Sequence, residues 1–170
     1  MVGAAQQATQ NARYVVIPRT LVFLLHGSDV LLLKGAPNKR LWAHRYNGVG
    51  GHVEAGETVL AAALREVQEE AGISELAWLE LRAVIHITTS EPQIGIMLYV
   101  FVGESRTRVA HESNEGSLEW WDRQALPHSE MVEDLPELLA HVLNMNRGSS
   151  PLFGLYWYNP DGTLHTSFSS

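Results

Sequence analysis

The residues of this sequence best suited to chemistry are three glutamates, Glu66, Glu69 and Glu70, which lie within five consecutive positions. Like charges four residues apart repel each other on an isolated helix by a few tenths of a kcal/mol, so this crowding indicates a bound cation. Carboxylate oxygens are hard ligands of the kind that Mg²⁺ or Mn²⁺ prefers. Such an ion bridges phosphate oxygens and activates an attacking water. The alternative is a solvated acidic helix face, as most charge runs are.

A single helix is predicted to carry all three glutamates. Thr58 suits the N-cap, residues 59–71 follow as helix, and Gly72 is predicted to end it at C′. Five apolar residues share one stripe of this helix: Leu60, Ala63, Leu64, Val67 and Ala71. The glutamates fall roughly 120° away from that stripe. The helix is therefore predicted to pack on a core and to present acids to a site.

A glycine-rich segment, Asn47-Gly48-Val49-Gly50-Gly51, precedes the helix. Glycine lets the backbone approach an anion or a metal where a Cβ would collide. Residues 34–46 mix glycine, proline, asparagine and cations with two aromatics. That composition favours a loop that handles a ligand.

Patterns of β-branched and aromatic residues, bounded by turn residues, predict the strands. They fall at residues 13–26, 30–33, 77–89, 94–102, 118–121, 152–158 and 164–168. Pro18 is predicted to mark a bulge or a break in the first strand. A second amphipathic helix is predicted within residues 131–143, with Asp134 as its cap. Many strands mixed with two helices predict an α/β fold with a sheet covered on both faces.

Composition limits the classes of protein that fit. A length of 170 residues predicts one domain, here residues 13–170, after a flexible tail at residues 1–12. The net charge of −7 argues against binding of a nucleic-acid polymer, which needs a basic surface. With no cysteine, disulfides and thiolate metal sites are excluded. The beginning of the chain does not read as a secretory signal and no apolar run is long enough to span a bilayer, so we expect no membrane contact and a cytoplasmic location.

The pattern G-x5-E-x7-R-E-U-x-E-E-x-G-U, where U is aliphatic, is met at every position from Gly51 to Ile73. Its defined residues are Gly51, Glu57, Arg65, Glu66, Val67, Glu69, Glu70, Gly72 and Ile73. This pattern resembles the Nudix box, the signature of the Nudix hydrolase superfamily. The resemblance implies an α/β/α sandwich with a mixed, mostly antiparallel sheet between helices. It also implies hydrolysis of a nucleoside diphosphate linked to another group.

The same resemblance implies roles for individual residues. Glu66, Glu69 and Glu70 would be metal ligands, helped by the carbonyl of Gly50. Glu57 and Arg65 would form an ion pair that holds the loop against the helix, with Gly51 and Gly72 as structural positions of the box. The base that activates water would be Glu69, Glu70 or a loop acid, and these alternatives stay open.

Outside the box, residues 46–51 are similar to the W-N-G-F-G-G segment of the oxidised-purine triphosphatases in the MutT-like branch. The resemblance gives Asn47 a role in reading the purine edge, because an amide offers both a donor and an acceptor. The alternative is an asparagine that forms a turn before glycine. Trp42 or Leu41 would then cover the base face, unless either packs as core.

Two further stretches resemble the same branch. Residues 112–115, followed by Trp120 and Trp121, are similar to an E-S-x-E…W-F segment whose second acid is an extra metal ligand or base, which gives Glu115 that role. Two other acids are the alternatives: Glu112 and Glu119. Residues 131–134 align with a W-P-D-D segment whose acids contact the base, which gives that role to Glu133 and Asp134. For Asp134 the competing interpretation is the helix cap.

These features together predict an Mg²⁺-dependent enzyme, with Mn²⁺ as an alternative ion, that splits a nucleoside triphosphate into a monophosphate and pyrophosphate. The expected partner is a purine nucleotide, with 8-oxo-dGTP as a candidate, in a role of cleaning the nucleotide pool. One alternative is a pyrophosphatase for ADP-ribose or another nucleoside diphosphate derivative. A second alternative is a Nudix module that binds a nucleotide without catalysis.

Overall fold

A computed structural model describes residues 13–39, 41–108 and 115–169. The predicted tail at residues 1–12 and the alternative acid Glu112 lie outside these ranges. The strands are β1 (Val15–His26), β2 (Asp29–Gly35), β3 (Tyr46–Asn47), β4 (Leu76–Thr88), β5 (Ile94–Ser105), β6 (Gly116–Asp122), β7 (Leu152–Tyr158) and β8 (Leu164–Ser169). The helices are α1 (Val59–Ala71) and α2 (Leu135–Val142), with a 3₁₀ turn at His128–Glu130. Neither α-helix in this part of the chain is long and apolar enough to cross a membrane.

The strands form one mixed sheet in the order β3-β2-β1-β5-β4-β7-β8, with β6 paired to β2. β1 runs parallel to β5, and β4 runs parallel to β7. The other neighbouring pairs within the described residues are antiparallel. The predicted mixed, mostly antiparallel sheet is therefore confirmed. Pro18 does not break β1, because it stays in register with Met97 of the parallel neighbour.

Alternation along β1 divides the core into two layers, since successive side chains of a strand point to opposite faces. Leu21 and Phe23 belong to one buried cluster, together with the apolar face of α2. Val22 and Leu24 belong to the other cluster, together with the apolar face of α1. The sheet thus lies between two helices, which confirms the predicted α/β/α arrangement.

Helix α1 begins and ends as the sequence predicts. Thr58 caps it by accepting a hydrogen bond from the backbone N–H of Ala61 at 3.1 Å, and Gly72 follows it with a φ of 66°. The predicted apolar stripe is wrong in part, because Leu60 and Leu64 are 48% and 44% exposed. The buried face consists of Ala62, Ala63, Val67, Glu70 and Ala71. The helix packs on the core mainly through small alanines. It is rotated about its axis relative to the predicted stripe, so Glu70 lies on the buried face.

The glycine-rich segment runs between β1 and β2. Tyr46 and Asn47 pair with β2, and Val49 then exchanges two hydrogen bonds with Val22 of β1, at 2.7 and 3.1 Å. Two residues on, the backbone N–H of Thr20 donates to the carbonyl of Gly51 at 2.8 Å. The segment that carries the predicted site residues is therefore held by the sheet on both sides.

Helix α2 begins at Leu135, as predicted, but Asp134 does not cap it. Asp134 occupies the N-cap position with helical backbone angles, and its side chain makes no capping hydrogen bond. An N-cap side chain reaches the first-turn N–H groups from an extended backbone, which Asp134 does not have. Its carboxyl group is therefore not committed to the helix.

Candidate active site

Glu70 reaches from α1 into the glycine-rich segment. Its Oε2 accepts a hydrogen bond from the backbone N–H of Gly50 at 2.9 Å. A Cβ at Gly50 would collide with the carbonyl oxygen of Thr20, so only glycine lets the backbone pass between β1 and the glutamate. The bond joins the helix to the loop at the residue whose carbonyl was predicted to bind metal.

Arg65 organises the other acids of the box. Its guanidinium binds both carboxylate oxygens of Glu57, with Nη2–Oε1 at 2.8 Å and Nε–Oε2 at 3.2 Å. Its Nη1 donates to Glu66 at 2.9 Å and to Glu69 at 3.1 Å. Nη2 also donates to the carbonyl of His52 at 3.0 Å. The structure thus brings together Glu57, Arg65 and two of the three predicted ligands, with the loop fastened to the helix.

Gly51 accommodates Glu66. A Cβ at position 51 would collide with the Glu66 carboxylate, which packs directly on the glycine backbone. An alanine there would push this carboxylate away from the position in which Arg65 holds it. The first glycine of the box therefore lets a predicted ligand lie directly against the backbone.

The electrostatics of Glu70 differ from those of its neighbours. Burial raises the pKa of the Glu70 carboxyl to about 7, and the negative charges of Glu66 and Glu69 add to the rise. The Gly50 N–H and the Lys39 ammonium oppose it. The rise in the Glu70 pKa therefore has two causes, burial and the charges of the neighbouring acids.

The donor set fits a hard divalent cation. One guanidinium nitrogen lies within 3.1 Å of carboxylate oxygens from both Glu66 and Glu69, so these two acids already share a cation. Among the described residues, no three acidic or imidazole groups converge on one point as a preformed metal site. Arg65 holds Glu66 and Glu69 while Glu70 is turned toward Gly50, and metal binding would require these carboxylates to reorient.

A cavity of about 970 Å³ opens beside these acids. Residues predicted from separate parts of the sequence line it together: Trp42, Asn47, Gly50, Glu70, Glu115 and Asp134. Glu133 is exposed and is not among the lining residues. Glu66 and Glu69 are likewise not among the lining residues. The structure therefore brings part of the metal-binding candidates and part of the base-reading candidates to one cavity.

Trp42 lies at this cavity on an unusual backbone. Its φ is 59°, and that of His44 is 61°, values that few residues other than glycine adopt. Trp42 is 52% exposed and Leu41 is 65% exposed. Neither side chain is core, so both keep an apolar surface available to a ligand.

Backbone contacts join the two segments that carry Asn47 and Asp134, which both line the cavity. The Asn47 Oδ1 accepts from the backbone N–H of Gly48 at 2.8 Å. The preceding residue, Tyr46, donates its hydroxyl to Glu119 at 2.7 Å and accepts at its carbonyl from the Val132 N–H at 3.0 Å. Burial raises the pKa of the Asp134 carboxyl above its usual range.

Among the cavity residues that were not singled out in the sequence, three carry polar groups of interest. Lys39 forms an ion pair with Glu115. Thr20 and Tyr156 are buried, and their hydroxyl oxygens have no hydrogen-bond partner in the described part of the chain. The mixed composition of residues 34–46 was a usable signal for Lys39. Thr20 and Tyr156 lie within strands that read as core, and nothing in the local sequence distinguishes them.

Known proteins resemble this chain in sequence and in fold. The NUDIX domain family matches residues 16–142. An oxidized purine nucleoside triphosphate hydrolase of Danio rerio is 31% identical over 127 residues, which cover 68% of this chain and 72% of the relative. The crystal structure of the MutT protein from Bacillus halodurans superposes with a TM-score of 0.74 at 26% identity, covering 90% of this chain and 97% of that chain.

A more distant structure shows the fold alone. The NUDIX domain of Shewanella oneidensis NrtR, complexed with ADP ribose, superposes with a TM-score of 0.62 at 14% identity, covering 83% of this chain and 96% of that chain. The family match spans both helices and the complete box. The resemblance read from residues 51–73 is thereby confirmed, and the chain belongs to the NUDIX family as a MutT-like Nudix hydrolase.

Proposed function

We propose that this enzyme hydrolyses a purine nucleoside triphosphate to the monophosphate and pyrophosphate, with 8-oxo-dGTP as a candidate substrate. The observation that carries the proposal is the cavity lined both by acids, Glu70 and Glu115, and by the two candidates for base recognition, Asn47 and Asp134. A nucleotide bound there would have its phosphates near the acids while its base meets the amide. The Danio rerio relative, whose name specifies oxidized purine nucleoside triphosphates, supports this choice.

Nudix hydrolases generally use divalent metal cations, and for this enzyme we propose Mg²⁺, with Mn²⁺ as a substitute. Four carboxylates and one backbone carbonyl would hold it: Glu66, Glu69, Glu70, Glu115 and Gly50. A bound ion of this kind neutralises charge on phosphate oxygens and lowers the pKa of water. All five donors are oxygens, the ligand type that these ions prefer.

The chain's own acids would take up the proton of the attacking water. Glu70 and Glu115 line the cavity. Glu69, on the same helix as Glu70, accepts a hydrogen bond from Arg65. A general base must come within hydrogen-bond reach of the water, directly or through one other water. We therefore keep Glu69, Glu70 and Glu115 as the catalytic candidates, with Arg65 and Glu57 positioning the helix acids.

Base recognition would rest on Asn47, Asp134 and Trp42. Because the Asn47 Oδ1 is engaged by Gly48 in the assigned orientation of the amide, its Nδ2 group remains to donate to a ligand. Guanine offers the acceptors O6 and N7 on one edge. Asp134 adds a partly buried carboxyl to the lining of the same cavity, and the exposed Trp42 ring offers a stacking surface.

A second candidate is hydrolysis of ADP-ribose or another nucleoside diphosphate derivative. It is favoured by the NrtR neighbour, which was crystallised with ADP ribose. Its identity of 14% carries only the fold, so the triphosphate remains our first choice. A Nudix module that binds a nucleotide without catalysis would also retain the fold.

A substrate panel tests the proposal. Purine triphosphates, their 8-oxo forms, pyrimidine triphosphates and ADP-ribose are incubated with Mg²⁺, and the products are separated by chromatography. We expect the highest kcat/KM for a purine triphosphate, with pyrophosphate rather than orthophosphate released. Preference for ADP-ribose would favour the second candidate, and the absence of hydrolysis would contradict the triphosphate proposal.

A further inference from the structure

Lys39 is paired with one acid of the site and lines the same cavity as a second. Its ammonium forms an ion pair with Glu115, and both residues line the cavity. Glu70 lines the same cavity. The ammonium therefore lies at the acidic part of the cavity wall, where the phosphates of a nucleotide would bind.

Backbone hydrogen bonds hold Lys39 and Glu115 to the same turn. The Lys39 N–H donates to the carbonyl of Ala36 at 3.0 Å, and the Ala36 N–H donates to the carbonyl of Glu115 at 3.0 Å. The two side chains thus start from fixed points on one short turn. Their pairing follows from this backbone arrangement and keeps the ammonium near the acids.

Arg65, the cation that binds the helix acids, is already engaged. Arg65 binds Glu57, Glu66 and Glu69 and the carbonyl of His52, and it is not among the residues that line the cavity. Lys39, in contrast, has a partner that is 43% exposed, and it is itself 35% exposed. Ion pairs this exposed contribute little to stability, so Lys39 can exchange its partner at small cost.

We propose that Lys39 binds the phosphate chain of the substrate by exchanging Glu115 for a phosphate oxygen. A lysine ammonium is a compact charge with three rotatable donors on a flexible stem, which suits a residue that changes partners. The exchange would neutralise phosphate charge and release Glu115 for its proposed role. The inference rests on the proposed function only in requiring a substrate with a phosphate chain.

Binding of inorganic pyrophosphate to the full chain, measured by isothermal titration calorimetry with Mg²⁺ and separately with EDTA, tests the proposal. We expect Lys39→Met to weaken binding by about tenfold under both conditions, since a charge-assisted hydrogen bond is lost. Lys39→Arg should keep most of the affinity. Arg106→Gln is the matched control, because Arg106 is exposed and does not line the cavity. Unchanged affinity in Lys39→Met, or no binding by the wild type, would overturn the proposal.

Glu115→Gln separates an exchanging ion pair from a structural one. If Glu115 competes with phosphate for Lys39, this variant should bind pyrophosphate more tightly in EDTA. The gain should be larger with Lys39 present than in the Lys39→Met background, because removal of a negative charge alone helps any anion to bind. An equal gain in both backgrounds, or weaker binding, would show that the pair does not exchange.

The two proposals fail in different ways. Pyrophosphate carries no base, so its affinity does not depend on which nucleotide is the substrate. Suppose that Lys39→Met loses pyrophosphate affinity and that the wild type does not hydrolyse purine triphosphates. This result would overturn the proposed substrate and support phosphate binding by Lys39. Hydrolysis of purine triphosphates by the wild type, together with unchanged pyrophosphate affinity in Lys39→Met, would support the proposed substrate and overturn the proposed role of Lys39.

Discussion

The backbone N–H of Val132 donates to the carbonyl of Tyr46 at 3.0 Å, and this bond joins two distant parts of the cavity wall. Tyr46 directly precedes Asn47, and Val132 lies two residues before Asp134. The segments that carry the amide and the carboxyl group are therefore joined through the backbone. Both residues line the same cavity, where one ligand can reach them.

Asn47→Ala should change the ranking of substrates. We expect kcat/KM for the preferred purine triphosphate to fall by about 10- to 100-fold, because a buried hydrogen bond to the base is lost. The value for pyrimidine triphosphates should fall less, and the Mg²⁺ concentration for half-maximal activity should not change.

Glu133→Gln serves as the control for this specificity experiment, because Glu133 is exposed and does not line the cavity. It should leave the substrate ranking as in the wild type. An unchanged ranking in Asn47→Ala would remove Asn47 from base recognition and favour a turn-forming role.

Asp134→Asn should raise thermal stability while lowering discrimination between bases. Burial raises the pKa of Asp134 in the folded state, so its ionisation costs more there than in the unfolded chain. The wild type therefore loses stability as the pH rises through the folded-state pKa, and the variant does not. At pH 7 we expect a Tm higher by about 2–4 °C in calorimetry. If the Tm difference between the variant and the wild type were the same at pH 4 and at pH 7, this explanation would be contradicted.

Glu70→Gln should lower kcat by about 10³-fold, because a ligand or base is lost. The fold should persist, since the glutamine carbonyl still accepts from Gly50 N–H and a buried charge is removed. Circular dichroism and steady-state kinetics measure the two effects. Glu75→Gln, the same change at an exposed position, should leave kcat as in the wild type. Full Mg²⁺-dependent activity in both Glu69→Gln and Glu70→Gln would contradict the metal assignment.

Glu57→Gln should destabilise the protein in a pH-dependent way. The hydrogen bond from Arg65 and then that from the Glu54 N–H lower the pKa of Glu57 below its ordinary value of 4.5. The stabilisation is therefore present above pH 4.5 and is lost as the pH falls through the folded-state pKa. We expect the variant to melt several degrees below the wild type at pH 7.

Thermal melts across the acid range check this dependence, because the two Tm curves should converge below pH 4.5. A constant difference at every pH would show that the charge of Glu57 is not responsible. Glu54→Gln is the matched control, since Glu54 contributes its backbone N–H rather than its carboxylate to the contact.

Much of the fold was predictable from local patterns. The caps of α1, strands β4 and β5 and the hairpin of β7 and β8 follow from turn residues and from period-two alternation. These signals act within a few residues. The exposure of Leu60 and Leu64 was not predictable, because helical periodicity gives the spacing of a stripe and not the direction in which it faces. That direction depends on packing against the sheet, and the alanine side of the helix is the one that packs there.

The sequence by itself determined the family and the chemistry of the box, since nine defined positions specify acids, arginine and glycines within one short segment. Only the tertiary structure decided which distant residues share the cavity. It turned Glu70 inward, brought Asn47 and Asp134 to one cavity, placed Lys39 against Glu115 and left Glu133 outside that cavity. Such contacts depend on strand pairing between residues far apart in the chain, and local sequence patterns carry no information about that pairing.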